Sequence, residues 1–149
     1  MSILQSATTS FKVELFQAVH NFGPTTPNTF KVALYTAAAN INETTTIYSS
    51  TNEVANGGGY TTGGNTLVIS TSPTAANNTA GVPTAYISFN NTSWTNATFT
   101  ARAALIYNVT QGNKSVAVLD FGTDKTVNND TFQIIFPTPD ANSAIVRIS

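Results

Sequence analysis

His20 is the sole imidazole in the chain, and no cysteine accompanies it. A serine or threonine nucleophile needs a positioned base, and no serine here sits in the G-x-S-x-G elbow that would present one. A catalytic zinc needs several His, Cys or carboxylate ligands, more than one histidine provides. Calcium takes hard oxygens, and "DFGTDKTVNND" gathers Asp120, Asp124 and Asp130 among asparagines, but the spacing is not that of an EF-hand loop and the segment reads as a solvated turn. "GGGYTTGG" lacks the lysine and hydroxyl residue that complete a phosphate cradle. Cleavage of a polysaccharide would need paired carboxylates in a cleft, and the few Asp and Glu residues fall mostly in turn-like segments. The chain is therefore expected to be no enzyme and to hold no metal or cofactor, with His20 capping or packing near the end of a helix.

One charge stands out. Arg102 lies in the middle of "SWTNATFTARAALIYN", Ser93 to Asn108, in a chain with only 9% charged residues. "AALIYN", "VTQGN" and "KSVAVLDF" have the form of a hairpin with a five-residue loop. If Asn108 faces Lys114, paired positions sum to 222. That register sets Arg102 against Asp120, Ile106 against Val116, Leu105 against Ala117 and Ala104 against Val118. It predicts a structural cross-strand ion pair between Arg102 and Asp120. The alternative is that Arg102 reaches a carboxylate or carbonyl of a neighbouring subunit.

The elements that position these residues follow from composition and period. Threonine and asparagine supply the polarity that most domains draw from Lys and Glu, and they suit the wet faces of strands and the turns between them. Phe11, Leu15, Val19 and Phe22 recur at helical spacing, with Lys12 and Glu14 off that stripe, predicting a short helix that "GPTTPN" ends. Beyond it the period becomes two. "TFKVALYT" places Phe30, Val32 and Leu34 on one face and Lys31, Ala33 and Tyr35 on the other; "NTLVIST", "TAYISF", "TFQIIF" and "AIVRIS" continue the pattern. Seven or eight strands after one helix predict an all-β fold, an antiparallel β-sandwich or barrel-like domain over residues 11–149, preceded by an N-terminal arm, 1–10.

Two connections read as mobile or ordered by a partner: Ala55 to Gly64, and Thr71 to Pro83. In the first, Tyr60 flanked by Gly57, Gly58 and Gly59 is a candidate partner-binding anchor; Trp94 is a second aromatic candidate.

Net charge near −1 leaves no basic field for nucleic acid. No apolar run reaches the eighteen or so residues that cross a bilayer, and "MSILQSATTS" lacks the cationic and apolar parts of a signal peptide, so a soluble, cytosolically made chain is expected. Triplets such as Asn96-Ala97-Thr98 and Asn108-Val109-Thr110 read as products of composition and not as glycosylation sites.

The blocks "TFKVALYT", "TNEVANGGGYTTGGNTL", "SWTNATFTARAALIYN" and "LDFGTDKTVNNDTFQIIF", in this order, resemble a family of small β-rich virion structural proteins of tailed bacteriophages. The resemblance runs from about Phe11 to Ile135 and is weakest over Thr71 to Val82. It implies a part of the virion, with the major capsid protein or another virion protein as partner. A capsid decoration or cement protein, present as a homo-oligomer with a trimer favoured and gripping the shell through its N-terminal arm, fits a small, neutral, cysteine-free chain that gains avidity from a repeated lattice. The alternative is a tail, fibre or vertex component with a receptor- or glycan-binding β-domain, in which Trp94, Tyr60 and the asparagine loops would stack on sugars.

Overall fold

The computed structural model describes residues 2–149. The fold is all-β, with two antiparallel sheets and one helix. The elements in chain order are β1 (Ser6–Ala7), α1 (Thr9–Phe16), β2 (Phe30–Tyr35), β3 (Asn65–Leu67), β4 (Ile69–Asn77), β5 (Pro83–Phe89), β6 (Thr92–Asn108), β7 (Lys114–Ile134) and β8 (Val146–Ile148). The first sheet has the order β1-β7-β6-β2-β3 and the second β4-β5-β8.

β2 carries the alternation its sequence announces. Phe30, Val32 and Leu34 enter the core between the sheets, where they meet Ile87, Phe89, Ile106, Val116 and Val146. Ala33 and Tyr35 join Ile41, Leu105, Tyr107 and Val118 in a second core. Both faces of the strand are thus buried, one by the opposite sheet and one by the chain between β2 and β3.

The helix is shorter than its apolar stripe. Thr8 caps its start, accepting from the Phe11 N–H at 3.4 Å, and the helix stops at Phe16 with Gln17 as C-cap. Ala18 takes a φ of 56°, which no helix continues through, so Val19, His20 and Phe22 lie beyond it. Glu14, expected on the wet side, is buried together with Phe11.

Residues expected as an N-terminal arm pair within the chain. Ile3 bridges to Ile41, β1 pairs with β7 through Ser6↔Val118 and Ala7↔Ala117, and the Thr8 N–H donates to the Val116 carbonyl at 3.0 Å. This segment adds to a strand of its own chain.

The β6–β7 hairpin has the expected five-residue loop and starts in the expected register, Asn108↔Lys114 and Tyr107↔Ser115. A bulge then shifts it by one residue. Ile106 faces Ala117, Leu105 faces Val118 and Ala104 faces Leu119, so the anticipated pairs Ile106–Val116, Leu105–Ala117 and Ala104–Val118 do not form. A larger irregularity follows: between Ala103↔Asp120 and Ala101↔Lys125, Arg102 alone opposes residues 121–124. Gly122 occupies a φ of 76° there, open to glycine at little cost.

"DFGTDKTVNND", read as a solvated turn, instead runs within β7, with Asp124, Asn128, Asn129 and Asp130 exposed, Asp120 partly exposed and Val127 buried. Much of Thr71 to Pro83 is likewise strand: β4 continues to Asn77, and the turn is confined to the residues before Pro83.

Candidate functional site

His20 lies in a buried polar chain linking α1 to the mouth of the hairpin. Gln111 donates its N–H to Asn108 Oδ1 at 3.3 Å, which fixes the orientation of that amide. Asn108 Nδ2 then donates to Asn28 Oδ1 at 2.9 Å and to His20 Nδ1 at 3.0 Å. With Nδ1 accepting, His20 Nε2 donates to Glu14 Oε2 at 2.7 Å, while Lys114 Nζ donates to Glu14 Oε1 at 2.9 Å. Burial pushes the Glu14 carboxyl up, but the hydrogen bonds from Lys114 and His20 and the charge of Lys114 outweigh it, leaving the group below its ordinary value. Both ring nitrogens and both carboxylate oxygens are engaged, and no hydroxyl or thiol joins the chain as a nucleophile. Its work is to hold α1, the Asn28 loop and the hairpin together. His20 is not at a helix end, as anticipated, but three residues past the C-cap.

Asn108 is fully buried inside this network, which removes it as a glycan acceptor. Asn96, the other triplet asparagine noted above, occupies a bulge of β6 with φ of 50°.

A second polar centre organises the glycine-rich loop. Glu53 accepts from Tyr48 Oη at 2.7 Å, from Tyr60 Oη at 2.6 Å and from the Gly63 N–H at 2.6 Å. Tyr60 Oη also accepts from the Leu34 N–H at 2.9 Å, and Tyr107 Oη donates to the Gly63 carbonyl at 2.7 Å. Burial, together with the Glu53 carboxylate, raises the Tyr60 and Tyr48 hydroxyls well above the usual phenol range and pushes Tyr107 up to about 12. These phenols act as donors at physiological pH, and the loop is tied from within.

The glycines serve the same closure. A Cβ on Gly58 would run into the Thr98 carbonyl, one on Gly59 would stand 3.0 Å from the Asn96 and Thr95 carbonyl oxygens, and one on Gly64 would strike the Val32 carbonyl. The loop lies flat on β6, with the Thr98 N–H donating to the Gly58 carbonyl at 2.8 Å. Tyr60 is 2% exposed and packs against Trp94 and Phe99; Trp94 is 4% exposed. The expectation of Tyr60, on a mobile loop, and Trp94 as partner-binding residues is therefore corrected: both rings are core, Gly58 and Gly59 let the backbone lie against β6, and Gly57 supplies a turn with φ of 115°. Glu53 is the residue that sequence reasoning missed, although it sits within the "TNEVANGGGY" block between Tyr48 and Tyr60.

Arg102 Nε approaches Asp120 Oδ1 at 3.4 Å, both side chains partly exposed. Asp120 Oδ1 also accepts from the Gly122 N–H at 2.8 Å and so closes the turn that the bulge requires. Asp124 and Asp130 stand elsewhere on β7, and among the described residues no three His, Cys, Asp or Glu side chains gather as a metal site. Among the same residues no helix is long and apolar enough to cross a membrane.

A groove of about 830 Å³ opens between α1 and β8. No protein-family model, curated protein or solved structure matches the chain.

Proposed function

We propose that this chain is a bacteriophage virion structural protein, a capsid decoration protein that binds the assembled head as a homo-oligomer and stabilises it. The observation that carries this reading is the employment of the reactive side chains. His20, Glu14 and Glu53, the groups best suited to chemistry, are consumed in internal bonds that hold loops and helix to the sheets. What faces outward is mainly uncharged and polar, with scattered charges such as Lys12, Asp124, Lys125 and Arg147 and apolar side chains such as Phe16, Val68, Ile135 and Ile148. Such a surface suits repeated, shallow contact with identical neighbours, where symmetry multiplies a modest affinity. The ordered series of sequence blocks from Phe11 to Ile135 supports the virion assignment. The adhesin alternative set Trp94, Tyr60 and the asparagine loops against sugars, and of these both rings are enclosed.

The test is copy number. Densitometry of purified particles is expected to return on the order of hundreds of copies, as a lattice-binding protein requires; about a dozen would overturn the decoration role. Absence from the particle would overturn the virion assignment altogether.

A further inference from the structure

The groove between α1 and β8 has the construction of a vacant strand position. β8 is the last strand of its sheet, paired with β5 on one side only. Val146, Arg147 and Ile148 all line the groove. Successive side chains of a strand point to opposite faces, so a cavity lined by three consecutive residues wraps the strand at its free edge and its end, where Ser149 and Thr84 of β5 line it too. The facing wall is Ala7 of β1 with Phe11, Leu15 and Phe16 of α1. This seam between the two sheets is not closed by the chain itself. Val146 is buried, but Ile148, two residues along the same face, is 57% exposed, and Phe16 is 96% exposed.

Charge selects the occupant. Lys12 and Arg147 are the charged side chains of the lining, and no carboxylate side chain stands among them. Neither belongs to an ion pair among the described residues. The groove thus carries two positive side chains in a molecule of net charge −1. Two copies meeting edge to edge about a twofold axis at β8 would set these cations against each other, which disfavours self-pairing.

We propose that the β8 edge receives an extended segment of another protein, alternating apolar side chains with carboxylates, which completes the second sheet as an added strand. Its backbone would pair with β8, its apolar side chains would cover Phe11, Leu15, Phe16 and Ile148, and its carboxylates would meet Lys12 and Arg147. This deepens the virion reading, on which it rests, by naming the chemistry of the contacted partner.

The experiment uses the isolated full chain and three blocked, fluorescein-labelled heptapeptides: TVEVEVT, its lysine counterpart TVKVKVT, and TVEVEVT with N-methylated valines. Anisotropy is expected to show saturable binding of the acidic peptide, tighter by about tenfold or more than either control. The double variant Lys12→Glu, Arg147→Glu, both at exposed positions, is expected to reverse the preference. Amide exchange in the complex is expected to gain protection within Val146–Ile148. No saturable binding, equal binding of the charge-swapped peptides, undiminished binding of the methylated peptide, or protection confined to other strands would each overturn the proposal. So would a dimer, seen by sedimentation, that occupies β8. These results concern the groove alone, whereas copy number in the particle judges the virion reading.

Discussion

Arg102 reaches Asp120 across the hairpin, although the backbone neighbour of Asp120 is Ala103. The pair forms on the diagonal because Arg102 opposes four residues of β7, and Asp120 turns to cap Gly122 in that bulge. The two partners are therefore unequal. Arg102→Ala is expected to cost ~0–1 kcal/mol, as a partly exposed ion pair does, and the loss should shrink at high salt. Asp120→Ala also leaves the Gly122 N–H without its acceptor, and should cost about 1 kcal/mol more. Urea unfolding of both variants checks the order; equal losses would refute the capping role.

The Glu53 centre predicts that a single phenol oxygen matters. Tyr60→Phe keeps the ring but removes a donor to Glu53 and the acceptor of the Leu34 N–H, for an expected loss of about 1–3 kcal/mol. Gly64→Ala is expected to be worse, since it combines a φ of 70° with a clash against the Val32 carbonyl. Thermal melts of the pair, with Gly112→Ala as a glycine of similar φ and open surroundings, separate steric clash from backbone strain.

Trp94 is buried, yet its Nε1 finds no protein acceptor. Trp94→Ala should cost about 3–5 kcal/mol, the usual loss for a large ring from a core. Trp94→Phe should cost much less, about 1.5 kcal/mol or below, since it keeps ring contacts with Tyr60 and Phe132 and deletes an unpartnered donor. Similar losses for both would mean that the indole N–H does have a role.

Glu14 predicts an acid limb. Its carboxyl ionises below the ordinary glutamate range because Lys114 and His20 outweigh the effect of burial. A carboxylate depressed in the folded chain contributes stability that is complete above the unfolded value and vanishes as pH falls through the folded one. Urea midpoints measured from about pH 6 down to about pH 3 should therefore fall less steeply for Glu14→Gln than for the parent chain. Parallel curves would remove Glu14 from the acid response.

The sequence made β2 and the hairpin loop legible because both are local: period-two alternation marks a strand, and a five-residue polar break between apolar runs marks a turn. It did not reveal the bulges at Arg102 and between Ile106 and Tyr107, since these depend on what the two strands pack against. The stripe of Phe11, Leu15, Val19 and Phe22 looked like one helix because Phe11, Leu15 and Phe22 do pack into the core, though Phe22 does so from a loop beyond the helix and Val19 joins neither core. Glu14 looked solvated because its partners His20, six residues away, and Lys114, a hundred away, give no local signal. Tyr60 looked like a free anchor for the same reason: its acceptor Glu53 and its donor Leu34 declare themselves only in three dimensions.

The N-terminal segment finds its partners late in the chain. Thr8 bonds to Ser115, 107 positions on, and Glu14 to Lys114, 100 positions on. During synthesis, which proceeds from the N-terminus, this segment emerges well before its docking site, so β1 and α1 cannot settle until the hairpin strands have been made. Closing so long a loop is expected to place their docking after formation of the β6–β7 hairpin, which closes around a short turn. The segment made before the hairpin is thus secured only after it.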